Sequence, residues 1–311
     1  MVSKFLDPKN DVAFRKIFGT EKNKDLLIHF LNDMIDFKGK KLIQEVTFLK
    51  TIQDPETIAK KTSIVDILCK DEKGNQYIVE MQVAKEKGFV KRAQYYASKA
   101  YISQMNTKGS YHNLKEVIFL AISDFVMFPE KKDYKSDHMI LDVETLENNL
   151  RDFSFTFLEL PKFDKTLNEL SNIVEKWMYF FKHTEETTEK DLERIVGNDQ
   201  IMERAYEELN RFSWSDEELL SYDQEEKYEG CYIASMEQKF DEGMEIGEKR
   251  GLEKGLQKGK EEGLQEGEKK AKIALAVNLL KEQFPIEKVS ELTELSEEEL
   301  GQLKIALPKD S

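Results

Sequence analysis

The sequence predicts an α+β fold, with a mixed β-sheet flanked by helices in the first half and an acidic α-helical extension after it. Three observations carry that expectation. Apolar stretches of strand length, rich in Ile, Val and Phe, fall at 63–84, 116–123 and 153–160, with helically spaced segments between them. Beyond Pro161 only helical spacing remains. The charge divides in the same way: residues 1–110 carry 20 Lys/Arg against 14 Asp/Glu, and the remainder 27 against 47.

Asp7-Pro8 opens a helical unit that extends to about residue 36. Val12, Ala13, Phe14, Ile17 and Phe18 give its first helix before Gly19. Leu26, Leu27, Phe30 and Leu31 give a second, from about Asn23 to Met34. A strand is expected over Leu42–Leu49 and a hairpin over 63–84. Gly88 to Met105 reads as a helix presenting Tyr95, Tyr96 and Tyr101, whose spacing suits packing on the sheet as well as contact with bases or phosphates. Glu116–Ser123 is apolar enough for a central strand. Further strands are expected at His138–Val143 and Phe153–Leu160, and helices at Leu167–Phe181 and near 189–197, 199–212 and 216–242.

Glycine then recurs at every fourth residue, seven times from Gly243 to Gly267. Each glycine inside a helix costs about 1 kcal/mol relative to alanine, so the segment is either a flexible linker or a helix that gains something from small residues. Four-residue spacing turns the stripe by about 40° per glycine around a helix, and such a stripe lets two helices approach closely. Self-association through this segment is the second alternative. The tail holds a helix over Ala271–Gln283, a break at Pro285 and two short helices, with Ser296 and Glu299 placed as a capping box. The expected divisions are 1–160 for the sheet domain, 161–242 for a helical extension, 243–270 for the glycine repeat and 271–311 for a small helical tail.

Composition excludes several classes. No run of about 18 apolar residues occurs, and the N-terminus has no signal-peptide core, so a soluble, cytoplasmic protein is expected, with no membrane and no organic cofactor. Two cysteines, Cys69 and Cys231, form no CxxC pair, and four scattered histidines give no imidazole metal site. A net charge of −14 makes a poor generic nucleic-acid binder, although a basic first half can bind DNA while the acidic half stays clear of it or masks it.

The chemistry concentrates in IVDILCKDEKGNQYIVEMQ, Ile64 to Gln82. Ionised carboxylates are costly in an apolar sheet unless paired, yet Asp66 lies in the first strand and Glu80 in the second. Strand parity puts Glu80 and Gln82 on one face. Asp66 joins that face with a three-residue loop, opposite Gln82, or with a five-residue loop, opposite Glu80; a two- or four-residue loop separates them. Two carboxylates on one face suit Mg²⁺, which takes one or two of them and keeps several waters.

These residues resemble the D…(D/E)xK core of the PD-(D/E)XK nuclease superfamily, in a D…ExQ form. DPKNDVAFRKIFG, KRAQYYASKAYISQ and LKEVIFLAISDF resemble blocks of the Rpn family of recombination-promoting nucleases, or putative transposases, over roughly residues 4–125. The resemblance implies a restriction-endonuclease-like fold and Mg²⁺-dependent endonucleolytic cleavage of DNA (with Mn²⁺ as substitute), linked to recombination or mobile elements. Asp66, Glu80 and the backbone carbonyl of Met81 would hold the ion, and a dimer would suit duplex cleavage. Gln82 takes the place of the family lysine, and Asp11 matches an acidic residue of the first helix, where it equally offsets the helix dipole. Glutamine cannot act as a base, so Lys85, Lys91 or Arg92 is the candidate compensating cation and DNA contact. The alternative is a catalytically decayed nuclease fold that serves as a DNA-binding or protein-interaction module.

Overall fold

Apolar periodicity places eight strands and nine helices among the described residues of the computed structural model, which are 3–37, 39, 42–53, 63–105 and 110–306. The strands are β1 (Val46–Phe48), β2 (Ile52–Gln53), β3 (Ser63–Ile64), β4 (Ile67–Asp71), β5 (Gln76–Gln82), β6 (Val117–Ser123), β7 (Lys135–Ile140) and β8 (Leu150–Glu159). The helices are α1 (Asp11–Phe18), α2 (Lys24–Met34), α3 (Phe89–Ser103), α4 (Ile173–His183), α5 (Glu189–Val196), α6 (Gln200–Glu208), α7 (Asp216–Lys281), α8 (Ile286–Thr293) and α9 (Glu297–Ala306). Contacts divide the chain into two units, Met1–Ile233 and Ala234–Ser311.

In the first unit a six-stranded sheet has the order β1-β4-β5-β6-β8-β7, while β2 and β3 form a separate antiparallel pair. β5 pairs in parallel with β6, and β6 with β8; the other neighbours are antiparallel. The sheet is mixed and open, with helices on its faces, as the sequence predicts. All seven residues of β6 are buried, which fits a strand with a parallel neighbour on each side.

Each sheet face has its own core. Tyr77, Val79, Met81, Leu120 and Ile122 pack into a large cluster with α1, α2, α4 and α6. Its centre is aromatic: Phe18, Phe30, Trp177 and Phe181 lie within 6.0 Å of one another in successive ring pairs. Trp177 also donates its indole N–H to Asp33 at 2.8 Å, which satisfies a polar atom that burial would otherwise strand. On the other face Leu68, Ile78, Phe119 and Phe157 meet α3, which contributes Phe89, Ala93, Ala97 and Ala100. Small residues at helical spacing on α3 let it lie close to the sheet.

Several boundaries differ from expectation, for local reasons. α1 begins at Asp11, not at Asp7-Pro8, because the Asn10 side chain caps it by accepting from the N–H groups of Val12 and Ala13. The strand expected at 42–49 shortens to β1. The strand expected at 138–143 shifts to β7, since Asp142 accepts from Glu144 and Thr145 and turns the chain there. Leu167–Glu169 is a separate turn with its own capping box, so α4 starts later, at Ile173, capped by Asn172.

The glycine repeat lies inside α7. A Cβ built on any of its seven glycines meets nothing within 4 Å beyond its own chain neighbours and the adjacent backbone of its own helix. The helix is supported at its surface by i,i+4 pairs, including Lys258–Glu262 and Glu266–Lys270. In the second unit Ala276, Leu280, Val289, Leu295 and Leu300 form a small core. Ser296 and Glu299 make the reciprocal capping bonds that the sequence predicts.

Truncating Trp177 to alanine empties the centre of the aromatic cluster and leaves Asp33 without its donor. The expected cost is about 3–5 kcal/mol, read as a lowered denaturation midpoint, whereas Tyr111→Ala at an exposed position is expected within about 0.5 kcal/mol of wild type.

Candidate active site

The hairpin of β4 and β5 decides which residues meet. Its register pairs Lys70 with Gln76 and Ile67 with Val79, so Asp66 falls opposite Glu80, the five-residue-loop alternative. Asp71 builds that loop. Its buried carboxylate accepts from the N–H groups of Lys73 and Asn75, both at 2.9 Å, from the Asn75 side chain and from the Tyr77 hydroxyl. Gly74 takes φ +89°, a conformation that a side chain would strain.

Glu80 shares the face of Ile78 that α3 covers, whereas Asp66 lies not in the strand where the sequence places it but at the bend just before β4, from which its carboxylate reaches the end of β5. One Asp66 oxygen accepts the Met81 N–H at 3.0 Å, and the Asp66 N–H donates to Glu80 Oε1 at 3.4 Å. Glu80 is only 5% exposed. Burial, and then the neighbouring Asp66 charge, push its carboxyl well above the ordinary carboxylate range, against the opposing pull of Arg92. A buried Glu80 carboxyl beside a second carboxylate forms a donor set that a divalent cation would relieve.

Both carboxylates line a cavity of about 290 Å³. α1 contributes Asp11 and, one turn later, Arg15. The Arg15 guanidinium bonds Asp66 at 3.1 Å and Asp11 at 3.3 Å. Burial and the Asp66 charge raise the Asp11 carboxyl to about 6, with Arg15 opposing. On the far side Gln82 uses both ends of its amide: Nε2 donates to the Ala84 carbonyl at 3.1 Å, and Oε1 accepts from Arg92 of α3. Arg92 also bonds Glu86 and lies over the Phe89 ring, 4.9 Å from its centroid.

Of the residues singled out from sequence, Asp11, Asp66, Glu80, Met81, Gln82 and Arg92 line this one cavity. Lys85 and Lys91 do not; both are exposed on the surface. Tyr96 lines the cavity, Tyr95 is exposed, and Tyr101 is turned away to bond Asp152 and pack on Phe153.

Sequence reasoning missed Arg15 and a whole wall. The first turns of α7 are fixed to α1. Tyr222 accepts the Asp7 N–H at 3.0 Å, and Lys16 pairs with Glu218 at 2.5 Å. The same helix face then carries Glu225, Glu229 and Tyr232 onto the cavity, beside Tyr228 and Ile233. The signal was present as a heptad-like spacing, Glu218–Tyr222–Glu225–Glu229–Tyr232, and as the i,i+4 pair Asp11/Arg15. Burial, and then Asp11 and Glu225, lift the Glu229 carboxyl to about 7.

Among the described residues no three His, Cys, Asp or Glu side chains converge as a ready metal cluster. Two carboxylates, a backbone carbonyl and water are what remains for an ion, a set that Mg²⁺ accepts and that softer metals do not favour.

A mixed sheet that carries paired carboxylates at the end of its central hairpin defines a restriction-endonuclease-like nuclease fold. Residues 8–238 match the PD-(D/E)XK nuclease family transposases, and the chain belongs to that family. No curated protein and no solved structure matches it. Among the described residues no helix is long and apolar enough to cross a membrane.

The raised Glu229 carboxyl sets a sign for stability. Its contribution is fully present below its ordinary value of 4.5 and is lost as pH rises through about 7. Glu229→Gln removes that loss, so the variant's melting temperature is expected to exceed that of wild type increasingly between these pH values and to converge with it at lower pH. Parallel melting curves across the interval would contradict the assignment.

Proposed function

We propose that the chain is a Mg²⁺-dependent DNA endonuclease, associated with recombination or mobile elements, whose reaction centre is the Asp66–Glu80 cavity. The convergence of these two carboxylates, held by the Asp71 turn, carries this reading. Asp66, Glu80 and the Met81 carbonyl would hold the ion. Bound there, Mg²⁺ would polarise a phosphoryl oxygen and make a water a better nucleophile at neutral pH. The chain's own groups do the rest. The Met81 N–H and Arg15 orient Asp66, Asp11 adds a carboxylate that can take a hydrogen bond from water, and the apolar surroundings of Glu80 strengthen each charge interaction. Exposed Lys85 and Lys91 suit phosphates away from the scissile one.

The competing reading is a binding module without catalysis, which the neutral Gln82 favours. Incubating supercoiled plasmid with Mg²⁺ (or Mn²⁺) separates the two. Wild type is expected to nick it, and Asp66→Ala to lose at least about 100-fold in rate, the order of loss expected when preorganised electrostatic stabilisation is removed. Equal or absent nicking in both proteins would leave only the binding reading.

The second proposal concerns self-association. Gly243, Gly251, Gly255 and Gly263 are each followed directly by Met or Leu, and Met244, Leu252, Leu256 and Leu264 are all more than half exposed. Apolar side chains beside glycines are what a second helix of the same kind would cover. Wild type is expected to sediment as an oligomer and the triple variant Leu252→Lys, Leu256→Lys, Leu264→Lys as a monomer. A monomeric wild type would refute it.

A further inference from the structure

Phosphodiester hydrolysis builds negative charge on the phosphoryl oxygens, and a preorganised cation beside them is one of the strongest aids a site can offer. The candidate cavity contains two guanidinium groups. Arg15 is about half exposed and bonds both Asp66 and Asp11, so its charge is taken up by the carboxylates that surround the ion position. Arg92 is placed differently. It is half-buried, packed over Phe89, and anchored by Gln82, a neutral acceptor one alternation along β5 from Glu80. The other end of its fork pairs with the Glu86 carboxylate, so Arg92 has one carboxylate partner where Arg15 has two. Its Nε is buried with no acceptor, an uncompensated donor.

We propose that Arg92 is the catalytic cation of the site, contacting a non-bridging oxygen of the scissile phosphate, and that Gln82 acts as its anchor. The assignment rests on the nuclease reading above. In the reaction a water oxygen bonds to phosphorus as the bond from phosphorus to one sugar oxygen breaks. One water proton ends on that sugar oxygen and the other passes to solvent, which leaves an alcohol and a phosphomonoester. Arg92 transfers no proton; its fixed charge and donors stabilise the oxygens as charge accumulates. Its anchor explains why a neutral residue can occupy position 82: a glutamine carbonyl accepts from a guanidinium, and a cation there would repel it.

The test compares wild type, Arg92→Gln and the double variant Gln82→Lys/Arg92→Gln. Single-turnover cleavage is measured in Mg²⁺, and labelled-DNA binding in Ca²⁺. Arg92→Gln is expected to slow cleavage by about 10²–10³-fold, the range for removing one preorganised donor, with a much smaller loss of DNA affinity, that of one phosphate contact, and a melting temperature near wild type. The double variant, with an ammonium restored on β5, is expected to recover at least about tenfold, which a merely structural role for Arg92 would not produce. If Arg92→Gln fails to melt cooperatively, Gln82→Met removes the anchor alone and must itself slow cleavage by about tenfold or more. Wild-type rates in Arg92→Gln, or in Gln82→Met where that variant carries the test, would overturn the assignment while leaving the nuclease reading intact, as would a double variant no faster than Arg92→Gln. A wild type with no Mg²⁺-dependent cleavage would refute that reading and the assignment together.

Discussion

The site depends on the register of one hairpin. Side chains alternate faces along a strand, so a slip of one residue between β4 and β5 would turn Ile67 and Cys69 out of one core and Leu68 out of the other, and would carry Asp66 away from Glu80 and the Met81 N–H. What prevents the slip is the buried Asp71 carboxylate, whose four hydrogen bonds to Lys73, Asn75 and Tyr77 define the length of the turn. The apolar pattern reinforces it: Ile67, Cys69, Tyr77 and Val79 fit one core, Leu68 and Ile78 the other. The geometry of the candidate site and hydrophobic packing thus impose the same register, and neither can be relaxed without the other.

Once Asp66 and Glu80 meet, the rest of the cavity follows from their mutual cost. Each layer of the fold sends one cation toward them: α1 supplies Arg15, and α3 supplies Arg92. Both arrive on helices whose apolar faces are committed elsewhere, Phe14, Ile17 and Phe18 in one core and Phe89, Ala93 and Ala97 in the other. The charged side chains are therefore held by packing and not by the ion pairs alone, which at half-exposed positions are worth little.

Much of this was legible in the sequence, because it depends on local pattern. The mixed sheet follows from apolar strand periodicity, and the shared face of Glu80 and Gln82 from parity alone. The facing of Asp66 was narrowed to two loop lengths, and the choice between them needed the side-chain bonds of Asp71. What was not legible depends on how helices dock. Nothing local pairs Gln82 with Arg92 and passes over Lys85 and Lys91; α3's small residues set its rotation on the sheet, and that rotation points Arg92 inward. The α7 wall was read as a soluble acidic helix because its anchoring contacts, Tyr222 to Asp7 and Glu218 to Lys16, join residues about 200 positions apart. The glycine repeat was ambiguous for another reason. Its penalty per residue is known, but whether i,i+4 pairs and neighbouring helical turns offset it cannot be read from spacing.

The acidic wall also constrains how such a site can receive a polyanion. Six carboxylates line the cavity against two guanidinium groups. Burial lowers that charge in part, since Glu80 is pushed far up and Glu229 to about 7, while Asp11, raised to about 6, stays mostly ionised at neutral pH. The remaining charge still opposes a phosphate, and at short range inside a protein that opposition is strong. Under the proposed nuclease reading, a divalent cation between Asp66 and Glu80 would reverse the local field for a phosphate, while Glu225 and Glu229 would continue to exclude backbone from the α7 side. On that proposal, the charge distribution would favour metal binding before DNA and would leave the Arg92 side as the approach that a phosphate meets with least repulsion.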